Sequence, residues 1–147
     1  MNCVTNRPQI HGTIAKAGWP VYDAAMRPWL FIAGVMGALA VLCGAFAAHG
    51  LAARLDAKAL AVFETGARYH MMHALALGLA AFAMRGPAVG LARWGAMLFL
   101  AGIVLFSGSL YLLALTGMTL LGFVTPFGGL CFVAGWICLA LAGLKQP

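Results

Sequence analysis

Long apolar runs broken by short polar segments organise this chain, and most of the runs have the length of a membrane crossing. The first covers residues 29–48 and carries no charge. As a helix it reaches about 30 Å, enough for the hydrocarbon core of a bilayer. A later run, 91–115, is long enough to cross with tilt. The last run, 126–144, is closed by Lys145. Thr125-Pro126 ahead of it reads as a helix start, with Thr125 as N-cap and Pro126 at the first helical position.

Between the first and third runs the pattern is mixed. Leu51, Leu55, Leu60, Val62 and Phe63 alternate irregularly with Arg54, Asp56 and Lys58. That predicts a short amphipathic helix at the interface over 51–64. It can run on into a second apolar stretch at 69–84, which is short for a full crossing. Residues 65–73 must then be buried in protein or lie at headgroup depth. Arg85-Gly86-Pro87 marks a tight turn, and 116–122 is an uncharged connection. The expected fold is an all-α, polytopic membrane protein. It has four transmembrane helices at about 29–48, 69–84, 91–115 and 126–144, with an interfacial helix between the first two.

Small residues in the first span are not scattered. Ala33, Gly37, Ala40, Gly44, Ala47 and Ala48 fall on one stripe at about 100° per residue. Such a stripe lets a neighbouring helix approach closely. Ala33, Gly37, Ala40 and Gly44 are therefore read as a helix-packing face, with a ligand groove as the alternative.

Composition agrees with the pattern. The chain is 64% hydrophobic and 8% charged, against about 25% charged in soluble domains. One membrane domain, 29–147, follows a polar extension, 1–28, expected to be a disordered cytoplasmic tail. The extension has no apolar core of its own, so it is not read as a cleavable signal peptide. Met26 stands directly before the first span and reads as an alternative start.

A net charge of +6 raises the question of nucleic acid. The basic residues form no dense patch and accompany no nucleic-acid motif, so that class is set aside. They lie between apolar runs, where Lys and Arg fix orientation. Arg7, Lys16, Arg27, Arg85, Arg93 and Lys145 outnumber Arg54, Lys58 and Arg68 on the other side, which places both termini in the cytoplasm. The expected partners are the lipid bilayer and a membrane protein or a second copy of this chain. The four cysteines show no CxxC spacing, and Cys43, Cys131 and Cys138 fall within apolar runs. They are read as small apolar residues, not as a disulfide framework.

Ionisable groups at a span are the default place to look for function. Glu64 and Arg68 share a helix face in the favourable order for an ion pair. His70 and His73 share the roughly opposite face. With His49 they make weak candidate ligands for zinc or copper, a proton-responsive group, or plain hydrogen-bonding residues. Ser107 and Ser109 sit in the middle of the third span, where hydroxyls bond back to the preceding turn or bridge to a neighbour. Tyr111 needs a partner for its hydroxyl. No GxSxG elbow surrounds the serines, which disfavours a hydrolase. No internal repeat is visible, which disfavours the common transporter folds.

Four segments carry a family resemblance. Gly44-Ala45-Phe46-Ala47-Ala48-His49-Gly50-Leu51 resembles the GAFGAHGL segment of the domain-of-unknown-function 423 family, the YgdD/YwdK group of small bacterial inner-membrane proteins. Residues 69–77 resemble its YQxxHALAL segment, and 106–112 match its FSGSLYL. Residues 125–130 followed by Gly135-Trp136 match its TPxGGL…GW ending. The order is right and the matches cover about 29 to 144. His70 departs from the pattern, which usually has Gln there, so a three-histidine metal site is not implied. The extension before Met26 is also atypical.

The resemblance implies four membrane helices, a bacterial inner-membrane location and no established activity. The resulting expectation is a non-enzymatic accessory or scaffold protein that needs no cofactor. The alternative is a small transporter or a ligand- or metal-binding protein. Its polar pocket would be formed by His49, Glu64, Arg68, His70, His73, Ser107, Ser109, Tyr111 and Thr125. A membrane enzyme with a metal at the histidines is a third, weaker option.

Overall fold

A computed structural model of the chain describes residues 24–145. The expected tail at 1–28 lies, up to residue 23, outside the described residues. Everything described is helix or turn. Helix α1, Met26–Phe46, continues into a π-turn, Ala47–Leu51. Helix α2 is Ala57–Ala83. Helix α3, Val89–Gly102, passes through a second π segment, Ile103–Ser107, into α4, Gly108–Thr116. A 3-10 turn, Thr119–Phe123, leads into α5, Thr125–Gly143.

Three of these rods are long and apolar enough to cross a membrane among the described residues. They are Met26–Leu51, Val89–Thr116 and Thr119–Gly143. Helix α2 has the length, at 27 residues, but carries Lys58, Glu64, Arg68, His70 and His73. Large apolar side chains face outwards on every rod, among them Phe31, Leu42, Leu75, Val104, Phe127 and Leu130. A water-facing surface would not carry so many contiguous apolar groups.

Two expected boundaries shift. No separate interfacial helix stands between the first two long helices. The Asp56 carboxylate accepts from the amides of Lys58 and Ala59, both at 2.8 Å, and so starts α2. From that cap the helix runs unbroken to Ala83, because no proline interrupts it and Gly66 is held against the Tyr111 ring. Thr125 is not the N-cap of the last helix. The preceding 3-10 turn delivers Val124 already in helical geometry, at φ −78° and ψ −34°. The Thr125 hydroxyl therefore donates back to the Leu121 carbonyl at 3.3 Å.

The core sits where α2, α3 and α5 meet. Leu77, Ala80 and Met84 pack with Ala92, Ala96 and Phe99 and with Phe132 and Ala142. Glycine makes the α3–α5 contact close. A Cβ on Gly135 would stand 2.8 Å from the Phe99 ring, and one on Gly102 would strike the Phe132 ring. One on Gly128 would collide with the backbone of Phe106. A smaller cluster of Ala47, Leu51, Phe63 and Ala114 closes the other end. Gly117, at φ 72°, ends α4 in the left-handed conformation that glycine adopts without steric cost.

Candidate functional site

The polar residues of the spans fall into two groups. Glu64, Arg68 and His49 are exposed. His70, His73, Ser107 and Ser109 are buried, at 1–6% exposure. The division follows helix geometry. His73 projects from α2 towards α3 and α5 and His70 towards Tyr111 of α4, while Glu64 and Arg68 lie on the opposite side. The predicted nine-residue pocket is therefore not one site. Its buried half, with Tyr111 and Thr125 half-buried, is the candidate site.

His73 is the most tightly specified group in it. Its ring stacks on Phe132 with centroids 3.4 Å apart and planes 7° from parallel. Tyr69 and Phe99 flank it at 5.9 Å, and Trp136 meets it edge-on at 6.4 Å. The His73 Nδ1–H donates to the Tyr69 carbonyl at 2.8 Å. The Trp136 Nε1–H donates to His73 Nε2 at 3.4 Å. These two bonds fix the tautomer and occupy both ring nitrogens. No lone pair is left for a metal.

His70 is held differently. Its Nδ1 shares a hydrogen bond of 3.2 Å with the Tyr111 hydroxyl. Its Nε2 is buried and has no partner. Ser109 Oγ lies 2.9 Å from both the Phe106 carbonyl and the Thr125 hydroxyl, and its one proton is shared between these acceptors, which ties α4 to the start of α5. Ser107 Oγ is buried without a partner. Cys43, from α1, and Tyr111 both pack on the smaller core cluster.

No three metal-ligating side chains among His, Cys, Asp and Glu converge among the described residues. His49 stands in the π-turn at the end of α1, exposed and away from the buried imidazoles. Of the predicted packing face, Ala33 approaches Gly78 and Ala40 is buried. Gly37 and Gly44 have no heavy atom within 4 Å of a would-be Cβ. Beside Gly37 an apolar groove of about 630 Å³ opens between α1 and α2, lined by residues such as Leu30, Ala33, Gly34, Met71 and Gly78.

The aromatic shell was not part of the predicted site. Phe99, Phe132 and Trp136 come from other helices, and only packing brings them to His73. The one local signal was Gly135-Trp136, a residue without a side chain next to an indole, which leaves room for a ring.

A family model described as "Protein of unknown function (DUF423)" matches residues 43–129. The chain is 43% identical over 121 residues to UPF0382 membrane protein YwdK of Bacillus subtilis, covering 82% of this chain and 98% of the relative. It is 43% identical over 119 residues to a UPF0382 membrane protein of Haemophilus influenzae, covering 80% and 94%. It is 39% identical over 120 residues to UPF0382 inner membrane protein YgdD of Escherichia coli, covering 81% and 91%. No solved structure matches.

Proposed function

The chain belongs to the DUF423 family, and on that premise we propose that it is a non-enzymatic accessory or scaffold protein of the bacterial inner membrane. It crosses four times, with α2 as the second crossing and both termini in the cytoplasm. The buried polar groups of α2 face protein, which is how ionisable residues are accommodated at membrane depth. Residues 29–147 form the membrane domain, and 1–28 a cytoplasmic extension.

The observation that carries this reading is the open groove along α1. Gly34 and Gly37 have no neighbour within 4 Å of a would-be Cβ. The chain's own helices leave the space beside these glycines open, although small residues in membrane helices typically mark close helix contacts. A transmembrane helix of another protein, or of a second copy, fits such a surface. His73 supports the same view, since both its nitrogens are engaged within the fold.

The test is Gly37→Leu, expressed in its native membrane and followed by mild detergent extraction. The expected result is unchanged abundance with loss of a co-purifying protein or of the homo-oligomer. Identical assemblies in wild type and variant overturn the reading. The transporter or ligand-binding alternative draws on one observation, the two buried polar atoms without partners on His70 and Ser107.

A further inference from the structure

Side-chain hydroxyls on helices usually bond back to the preceding turn. Most of those described here do. Thr65 donates to the Ala61 carbonyl at 2.8 Å, Thr116 to Leu112 at 2.6 Å and Thr125 to Leu121 at 3.3 Å. Ser109 donates to Phe106. Ser107 is the buried exception, at 1% exposure.

The cause is the π segment. A regular α-helix would offer Ser107 the carbonyl of Ile103, four residues back. Here the Gly108 amide, five residues on, bonds to that carbonyl instead. In this widened turn the Ser107 hydroxyl makes no hydrogen bond. π-bulges are rare and occur often at functional sites.

Ser107 precedes Tyr111 by one turn, so the two share the face that Tyr111 presents to His70. His70, whose Nδ1 meets Tyr111 there, is 5% exposed and its Nε2 is buried without a partner. Two orphaned polar atoms on facing helices are costly in an apolar interior, at about 1–3 kcal/mol each. A ligand able both to donate and to accept relieves both atoms whichever tautomer His70 adopts.

We propose that the π-bulge builds a binding site for a single buried water between α2 and the Ile103–Ser107 segment, held by His70 Nε2 and Ser107 Oγ. Buried waters take up polar groups in this way. Through the His70–Tyr111 bond, the water extends a hydrogen-bonded seam from Ser107 to Tyr111. Histidine 70 is thus the hydrated imidazole of the core, and His73 the dry one. The inference does not depend on the scaffold reading.

The experiment is water-edited solid-state NMR on full-length protein with 15N-labelled histidine in lipid nanodiscs. Polarisation from water protons is expected to reach the His70 ring and not the His73 ring. Exposed His49 serves as the positive control. Ser107→Ala is expected to abolish the transfer to His70, and Ser109→Ala to leave it intact. Alanine at 107 removes a group that has no partner within the protein, so the variant should fold. The wild-type contrast of His70 with His73 decides the matter without any variant. Equal transfer to both rings, no transfer to His70, or transfer unchanged in Ser107→Ala overturns the site.

Discussion

The glycines of α1 and those of the α3–α5 contact are the same residue in the same kind of helix, yet they face opposite circumstances. Between α3 and α5, Gly102, Gly128 and Gly135 are filled against Phe132, Phe106 and Phe99, and a Cβ on Gly95 would stand 3.3 Å from the Gly135 carbonyl oxygen. Along α1, a Cβ on Gly34, Gly37 or Gly44 would meet nothing within 4 Å. Glycine in a helix interior costs about 0.5–1 kcal/mol relative to alanine. The α3–α5 glycines recover that cost through close packing within the chain. The α1 glycines have no such side chain seated against them within the chain. On the proposed reading their use lies outside it, and the contrast then separates internal architecture from an outward-facing surface.

The strongest way to break the contrast is Gly128→Ala. The new methyl would collide with the Phe106 backbone nitrogen, and backbone cannot rotate away as a side-chain tip can. The cost should be at the top of the overpacking range, about 3 kcal/mol. Thermal unfolding in detergent is expected to show a large drop in midpoint or no folded protein at all. A variant as stable as wild type would mean that α3 and α5 do not pack this closely.

His73→Ala tests what the close packing encloses. It removes a ring stacked on Phe132 and orphans the Trp136 N–H. The expected loss is about 2–3 kcal/mol, from the cavity and the lost hydrogen bond. Abundance should fall, and any cellular phenotype should fall in proportion. A phenotype lost at full abundance would instead make His73 a ligand-handling residue.

Tyr111→Phe is milder. It leaves the ring against Phe63 at 4.6 Å and removes the hydroxyl that pairs with His70 Nδ1 and with Cys43. The expected cost is about 1 kcal/mol, read as a small downward shift in the unfolding midpoint. A shift as large as that of His73→Ala would place the hydrogen-bonded seam, and not the ring stack, at the centre of the fold's stability.

The helices themselves were legible, because lipid demands long apolar runs and the breaks between them are marked by charge, glycine and proline. The division of the polar residues was legible too. At about 100° per residue His70 and His73 must oppose Glu64 and Arg68, and the structure buries the first pair and exposes the second. What stayed hidden depends on backbone geometry or on tertiary contact. The π segments have no proline to announce them. The continuity of α2 rests on the Asp56 cap, and a single acidic residue in a mixed segment does not reveal a cap. The ring shell of His73 comes from three helices, and no spacing along one chain segment encodes it. The grouping of His49 with the other imidazoles assumed that a shared membrane side brings residues together, which the exposed π-turn does not do.

The smallest expected effect has the opposite sign and sharpens the contrast most. Gly34→Ala adds a methyl where nothing stands within 4 Å, in the interior of α1. Without a partner in the assay, only helix propensity changes, and alanine should stabilise the isolated protein by about 0.5–1 kcal/mol. The midpoint in detergent should therefore rise slightly, whereas the same exchange at Gly128 lowers it steeply. In the native membrane the methyl occupies space that a neighbouring helix would need, so association should weaken while the isolated chain gains stability. A variant more stable alone and less assembled in the membrane identifies Gly34 as an interface residue. A variant more stable in both settings means that only lipid covers this face, and the groove then has no protein partner.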